Sequence, residues 1–344
     1  MTALVLPNRR IEDWKYTDLR NAIDPASVES APTAVWNVLS VSGAVEQNEL
    51  PEIMPRGKHG VMADLAVSLA KSGVLLRVGK GQEGSAHLKL AQGGHGRALI
   101  VVEDGAFLSL RETSETGDFA NIAIEIVLGR NAHLSHVREA PLQPDGVRVT
   151  DYSVRVAGCG VYRAHFTDFG AKLSRAELHI ALEGEDAEAR LSGVSVLGET
   201  RHADVTTRIT HVVGNTQSTQ LFKIITDRHA RGVYQGKISV ANGADGSDSR
   251  QTAKGLLLGE RSEIDLKPEL EILADDVKCA HGAAVGDLDA ESLFYLRSRG
   301  LPESEARAML MRAFLEDAVA EIADEAIRAE VWLRVDAALA ELSA

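Results

Sequence analysis

Ile264-Asp265-Leu266-Lys267-Pro268-Glu269-Leu270-Glu271-Ile272 alternates apolar and polar side chains, the period of a strand with one buried face. A few residues on, Asp275-Asp276-Val277-Lys278-Cys279-Ala280-His281-Gly282-Ala283 leads through Leu288-Asp289 into Leu293-Phe294-Tyr295-Leu296-Arg297-Ser298-Arg299-Gly300, where the apolar spacing becomes helical. A sheet therefore hands over to helices between Glu263 and Gly300. At the handover stand a thiol and an imidazole two residues apart.

In an extended strand, residues i and i+2 share a face and lie roughly 6.5–7 Å apart. Cys279 and His281 then project sulfur and imidazole side by side, a donor pair suited to zinc, iron or a cluster. A closed zinc site or an iron–sulfur cluster takes about four protein ligands, so two make half a site. Either another chain supplies the remainder, or a buried Cys and a hydrogen-bonded His are merely neighbours.

Upstream, from Gly73 to Ile272, short alternating runs follow one another. Leu99–Val102 and Phe107–Leu110 are two of them. Ile122, Ile124, Ile126 and Leu128 alternate cleanly before Gly129-Arg130-Asn131; Leu178, Ile180 and Leu182 do so before Gly184. Strands at roughly 8–12-residue spacing imply a sandwich, barrel or solenoid. No helical stretch interrupts them, which argues against βαβ units. The units Gly105-Ala106-Phe107-Leu108 and Gly129-Arg130-Asn131-Ala132-His133-Leu134 recur at about one solenoid coil. Aromatics make up only 4% of the chain, which suits thin stacked coils.

Helices flank this run, and the chain divides into a mainly helical 1–72, a β core at 73–286 and a helical 287–344. Trp14, Tyr16 and Leu19 anchor the N-terminal segment, and Met62, Leu65, Ala66 and Leu69 form a short amphipathic helix. Between them, Asp24–Pro55 is rich in Pro, Ser and Ala and fits helix or strand. Past Gly286, Asp289 caps a helix that ends at Gly300. Pro302 opens a second, with Ala306, Met309, Leu310, Ala313 and Phe314 as its apolar stripe. A third, near Glu325–Leu342, presents Ile327, Val331, Val335 and Leu339.

The net charge of −13 argues against nucleic acid and anionic membranes as partners. Two distant cysteines, Cys159 and Cys279, imply no disulfide framework and fit a reducing cytoplasm. The N-terminus lacks a basic, signal-like start, and no run reaches the roughly 20 apolar residues of a membrane span. Gly79-x-Gly81-x-x-Gly84 precedes a strand pattern rather than a helix and reads as a turn. GxxxxGK(S/T), HExxH and GxSxG are absent, so the chain itself binds no nucleotide through a P-loop. Cys159 reads as a small buried hydrophobe. Histidines 165, 179, 202, 211 and 229 lack ligand spacing and read as satisfied strand residues. Asp245-Gly246-Ser247-Asp248 reads as a polar turn, and Asp275 and Asp276 as solvated carboxylates near the thiol.

The run Pro268–Ile272, Ala274–Ala283, Gly286, Leu288-Asp289 and Leu293–Gly300 resembles the C-terminal core of the SufB/SufD family, subunits of the SUF iron–sulfur cluster assembly complex. The likeness extends from Leu256-Leu257-Leu258 to Glu305-Ala306-Arg307. Near the N-terminus, Arg10-Ile11-Glu12-Asp13-Trp14-Lys15-Tyr16-Thr17 is similar to a run that SufD-type members carry. The resemblance implies a right-handed parallel β-helix and a non-enzymatic scaffold subunit, paired with a SufB-like chain through the β-helix. It also implies a SufC-like ABC ATPase docked on the C-terminal helices, and a homodimer when the chain is isolated. Cys279 and His281 match family residues at the paired interface, where a transient iron–sulfur cluster or iron would be shared with the partner. Two rival readings are a SufB-like principal scaffold and a β-solenoid carbohydrate-active enzyme. The scarcity of cysteines and the Trp14–Thr17 run count against the first, and low aromatic content against the second.

Overall fold

The computed structural model describes residues 4–50, 60–115 and 117–343. Residues 1–3 and 51–55, on which part of the reading of the N-terminal region falls, lie outside the described residues. The alternating runs become strands bounded by turns. In chain order these are β1 (Val35–Gly43), β2 (Val45–Glu49), β3 (Val74–Val78), β4 (Glu83–Gln92), β5 (Gly94–Val102) and β6 (Phe107–Ser114). There follow β7 (Phe119–Leu128), β8 (His133–Ala140), β9 (Gln143–Val156), β10 (Val161–Asp168), β11 (Ala171–Leu182) and β12 (Glu188–Leu197). β13 (His202–His211), β14 (Gln217–Thr226), β15 (Arg231–Val240), β16 (Asp248–Leu257), β17 (Glu263–Ile272) and β18 (Lys278–Gly286) complete the set.

Strands β4 to β18 of even number, with β1, make one nine-stranded sheet; β2, β3 and the odd-numbered strands to β17 make the other. From β3 and β4 onward each strand pairs in parallel with the next but one, so every coil adds one strand to each sheet. The chain forms a parallel β-solenoid. Parallel register stacks like on like: Leu76, Ile100, Ile126, Val154, Ile180, Ile209 and Ile238 form one inward ladder. All seven are at most 2% exposed. Branched side chains suit a pleated, two-sided surface, and each such burial contributes about 1.5–3 kcal/mol. The lumen also holds a buried polar knot: Glu112 accepts from Tyr152 Oη at 2.9 Å and lies 3.0 Å from His136 Nε2.

Stacked corners join the strands. Asn131 and Cys159 occupy corners with φ of 53° and 56°, their N–H groups donating to Gly158 O and Glu185 O of the next coil. Cys159 is therefore an exposed corner residue rather than a buried hydrophobe, because the turn carries its side chain outward. The glycine run is a turn at residues 79–82 between β3 and β4, with Gly84 already in β4, as its flanking strand patterns imply.

The N-terminal region is mixed rather than mainly helical. A 3-10 turn at Glu12–Trp14, α1 (Leu19–Ala22), α2 (Pro25–Glu29) and α3 (Val61–Leu69) accompany β1 and β2. β1 runs antiparallel on β4, and β2 antiparallel on β3. Leu6, Trp14, Leu19, Val28 and Met62 cover the outer face of the odd-numbered sheet at Val147, Val149 and Leu173. The Trp14 ring lies over the fully buried Arg175 guanidinium at 4.2 Å. Thr17 is buried and donates to Asp204, while Tyr16 is only half-buried. The expected anchors Trp14 and Leu19 hold; Thr17 takes the third place, because its hydroxyl reaches a buried carboxylate.

After β18 come α4 (Ala290–Ser298), α5 (Glu303–Ala320) and α6 (Glu325–Ser343). Asp289 caps α4, accepting from Ser292 N at 2.8 Å. Met311, Leu315, Val319, Val331, Val335 and Leu339 pack these helices on Val137, Val194, Val196 and Ile225 of the even-numbered sheet. For α6 the expected stripe is the buried one, with Ile327 half-buried at its margin. For α5 it is buried only in part: Ala306 is buried, Leu310 and Phe314 are half-buried with Phe314 packed against the sheet cluster, while Met309 is 50% exposed and Ala313 is exposed. The helix carries two apolar faces, and the sheet takes mainly the other one.

Candidate functional site

β17 and β18 are the last strands of their sheets, bonded to β15 and β16 respectively and, among the described residues, to no strand beyond. In β18, Cys279 stacks on Ser249 and His281 on Gln251. Ser249 and Gln251 are buried inside the coil beneath, so parallel register places Cys279 and His281 on the same lumen-facing side. Because the stack ends here, Cys279 is half-buried and His281 exposed. Cys279 packs with Val277, Leu270 and Ala274 against Ile238, Val240 and Ala244.

Burial pushes the Cys279 thiol up, and Asp248 adds to it. The carboxylate beside the thiol is thus Asp248, on the neighbouring strand. Asp275 and Asp276 sit exposed at the corner before β18 and do not supply this field. Sequence proximity pointed to the wrong acids, because the register brings a strand from the previous coil closer than the residues just upstream.

Below the pair the lumen is polar and hydrogen-bonded. Ser218 and Ser249 hydroxyls lie 2.6 Å apart. Gln251 Nε2 donates to Tyr234 Oη at 2.9 Å, and Tyr234 Oη donates to Gln220 Oε1 at 3.0 Å. These residues give the strand ending in Cys279 and His281 a fixed floor, and nothing in their local alternation marks them. Among the described residues, no third metal-ligating side chain gathers with Cys279 and His281. A soft thiolate and an imidazole can contribute two ligands to an ion or cluster, with the remaining positions open to the end of the solenoid.

Beside this end, α4 buries none of its residues, and Phe294 and Tyr295 are 74% and 57% exposed. Tyr295 and Leu296, with Met309, Leu310 and Ala313 of α5, border an open depression. The second apolar face of α5 lines it.

The model of the SUF system FeS cluster assembly SufBD core domain matches residues 84–314, most of the solenoid together with α4 and much of α5. The chain belongs to the SufBD family. It is 29% identical to the iron–sulfur cluster assembly protein SufD of Escherichia coli strain K12, over 96% of this chain and 88% of that one. A SufBD family protein of Synechocystis is 34% identical over 63% of this chain and 51% of its own length. One of Mycobacterium bovis is 25% identical over 97% of this chain and 89% of its own. Membership of this SufBD family supports a role in iron–sulfur cluster assembly. Among the described residues, no helix is long and apolar enough to cross a membrane.

Proposed function

We propose that this chain is a non-enzymatic, SufD-type subunit that lends Cys279 and His281 to an iron–sulfur assembly site completed by a SufB-like partner. The observation that carries this reading is the position of the pair. Both residues face the open end of the lumen, on a terminal strand whose outer edge has no partner. An unpaired strand edge is a template for adding another strand. The two edges differ: β17 contains Pro268, which edge strands tolerate but which removes a donor, whereas β18 has none. β18 is also built of Ala and Gly around the pair, so a partner backbone can approach closely. The partner therefore docks along β18 and brings its own ligands to the transient cluster or iron. Isolated, the chain pairs with a second copy through the same edge.

The exposed face of α4 and α5 receives a SufC-like ABC ATPase in this reading, and the chain binds no nucleotide itself. Replacing Phe294 and Met309 by Asp should abolish capture of that ATPase without lowering the melting temperature. To test the assembly site, the chain is purified alone and co-purified with SufB-like and SufC-like partners, and iron, sulfide and visible absorbance are measured. The lone chain should be colourless and the complex should acquire a cluster. A stoichiometric, stable cluster on the lone monomer would overturn the shared site.

A further inference from the structure

Far from the open end, on the outer face of the odd-numbered sheet, a second group of ligand-type side chains comes together. Asp151 of β9 and Glu177 of β11 are register partners, and His179 follows Glu177 two residues on, on the same face. One ligand atom from each lies within 4.8 Å of the other two. Their side chains are 3%, 5% and 14% exposed. We propose that Asp151, Glu177 and His179 form a binding site for one divalent first-row metal ion, distinct from the Cys279–His281 pair and independent of the assembly role.

The distances favour coordination over hydrogen bonding. His179 Nε2 is 3.4 Å from Asp151 Oδ2 and 3.6 Å from Glu177 Oε2, longer than well-formed hydrogen bonds, although against burial the two carboxylates together hold its imidazole up to about 9. Good N–H···O contacts lie at about 2.7–3.2 Å. Two ligands each about 2.1 Å from a tetrahedral metal stand about 3.4 Å apart. Neighbouring groups orient the two carboxylates. Glu177 gives its other oxygen, Oε1, to Arg175 Nε at 2.7 Å, which leaves Oε2 directed at His179. Gly60 N donates to Asp151 Oδ2 at 3.0 Å. A Cβ at position 60 would stand 2.8 Å from Glu177 Oε2 and 3.2 Å from Asp151 Oδ2, so a larger residue there would push the two carboxylates aside. Such supporting contacts are what hold metal ligands in place.

His179 also borders a cleft with Ser153, Arg155, Glu183, Arg208 and Lys237, so its ring is the part of the cluster nearest solvent. Two carboxylate oxygens and one imidazole, with a fourth place open, suit zinc, iron(II) or cobalt(II) better than calcium, which takes six to eight oxygens. The competing arrangement is an imidazolium held between two carboxylates with no metal at all.

The full chain carrying Cys279→Ala and His281→Ala removes the other candidate donors and is stripped with chelator. Zn2+ is then titrated by calorimetry and Co2+ by visible absorption. One equivalent should bind, with the intense visible band of tetrahedral cobalt. Asp151→Asn and His179→Gln, added singly, should each weaken binding at least about tenfold, the loss seen even for contacts that merely support a ligand. Glu177 is left intact because it also partners Arg175. A readout free of site variants is the melting temperature of the background protein, which should rise with Zn2+ as a native-state ligand requires. No saturable binding and no rise in melting temperature would establish the bare imidazolium ion pair and overturn the proposal, as would binding that both substitutions leave unchanged.

Discussion

At one end of the solenoid the chain folds back over itself; at the other it leaves its edges bare. β1 and β2 turn antiparallel onto β4 and β3, closing the first coil with strands of opposite direction. The Trp14 segment lies farther along the odd-numbered sheet, over the outer faces of β7, β9 and β11. Among the described residues no antiparallel strand caps β17 or β18, although Glu12 reaches Lys267 of β17; Ile272, Leu273 and Val285 are 40%, 64% and 43% exposed. A stack of parallel coils has two edges by construction, and natural proteins blunt edges that are not meant to pair. This chain blunts one. The contrast separates residues that hold the fold from residues that face a partner, and each can be challenged alone.

Of the changes considered, Trp14→Ala should cost the most folding free energy, about 3–5 kcal/mol, through a lost buried aromatic and its stacking on Arg175. Chemical denaturation measures it. A loss below about 1 kcal/mol would mean that the outer face of β9 and β11 does not depend on this segment.

The helical flank supplies the next largest effect. His165 is buried between β10 and α5, with Nδ1 2.7 Å from Ser192 Oγ. Burial pushes its imidazole down to about 3, a hydrogen bond with the Ala318 backbone opposing this only in part. The unfolded imidazole titrates near 6.5, so above that pH neither state is charged. Below it the unfolded state binds a proton that the folded state refuses, and stability falls as pH drops from about 6.5 toward 3. By pH 5 the loss is about 2 kcal/mol. His165→Asn should flatten that part of the stability–pH curve; an unchanged slope would place the titration elsewhere.

At the bare end, Ala283→Glu with Val285→Lys should shift the melting temperature by under about 2 °C, since both sites lie on the exposed terminal strand. The same pair should remove capture of a SufB-like partner and self-association, read by co-purification and light scattering. Persisting association would move the interface away from β18. The smallest cost to folding falls to His281→Ala, within about 0.5 kcal/mol for a surface change, and Cys279→Ala, half-buried, costs somewhat more. Their main difference lies in cluster loading of the complex. Neutral imidazole ligates without losing a proton, whereas a thiol held up by burial and Asp248 must first ionise. His281→Ala should therefore lower iron and sulfide content more than Cys279→Ala does. Equal, normal loading in both would make the pair structural.

Local patterns sufficed to mark several strands of the core with their turns, the α6 stripe, the cap at Asp289, and the common face of Cys279 and His281. These are local properties: period, turn chemistry and i,i+2 geometry depend on residues a few places apart. What stacks on what is not local. Asp248 beside Cys279, Gln251 beneath His281, Asp151 against Glu177, and Thr17 on Asp204 each join residues at least one coil apart. A period-2 pattern says which face a side chain takes, but a shift of two residues between coils keeps every face and changes every neighbour. The same limit hid the second face of α5, where two apolar stripes compete and only packing against the sheet selects one. The sequence pattern by itself thus limited the core to a sandwich, barrel or solenoid, the family resemblance selected the solenoid, and i,i+2 spacing put Cys279 and His281 on one face. Only the tertiary structure decided which end is closed, which acid faces the thiol, and that His179 meets two carboxylates, because coil-to-coil register and end closure are set by packing across the whole stack.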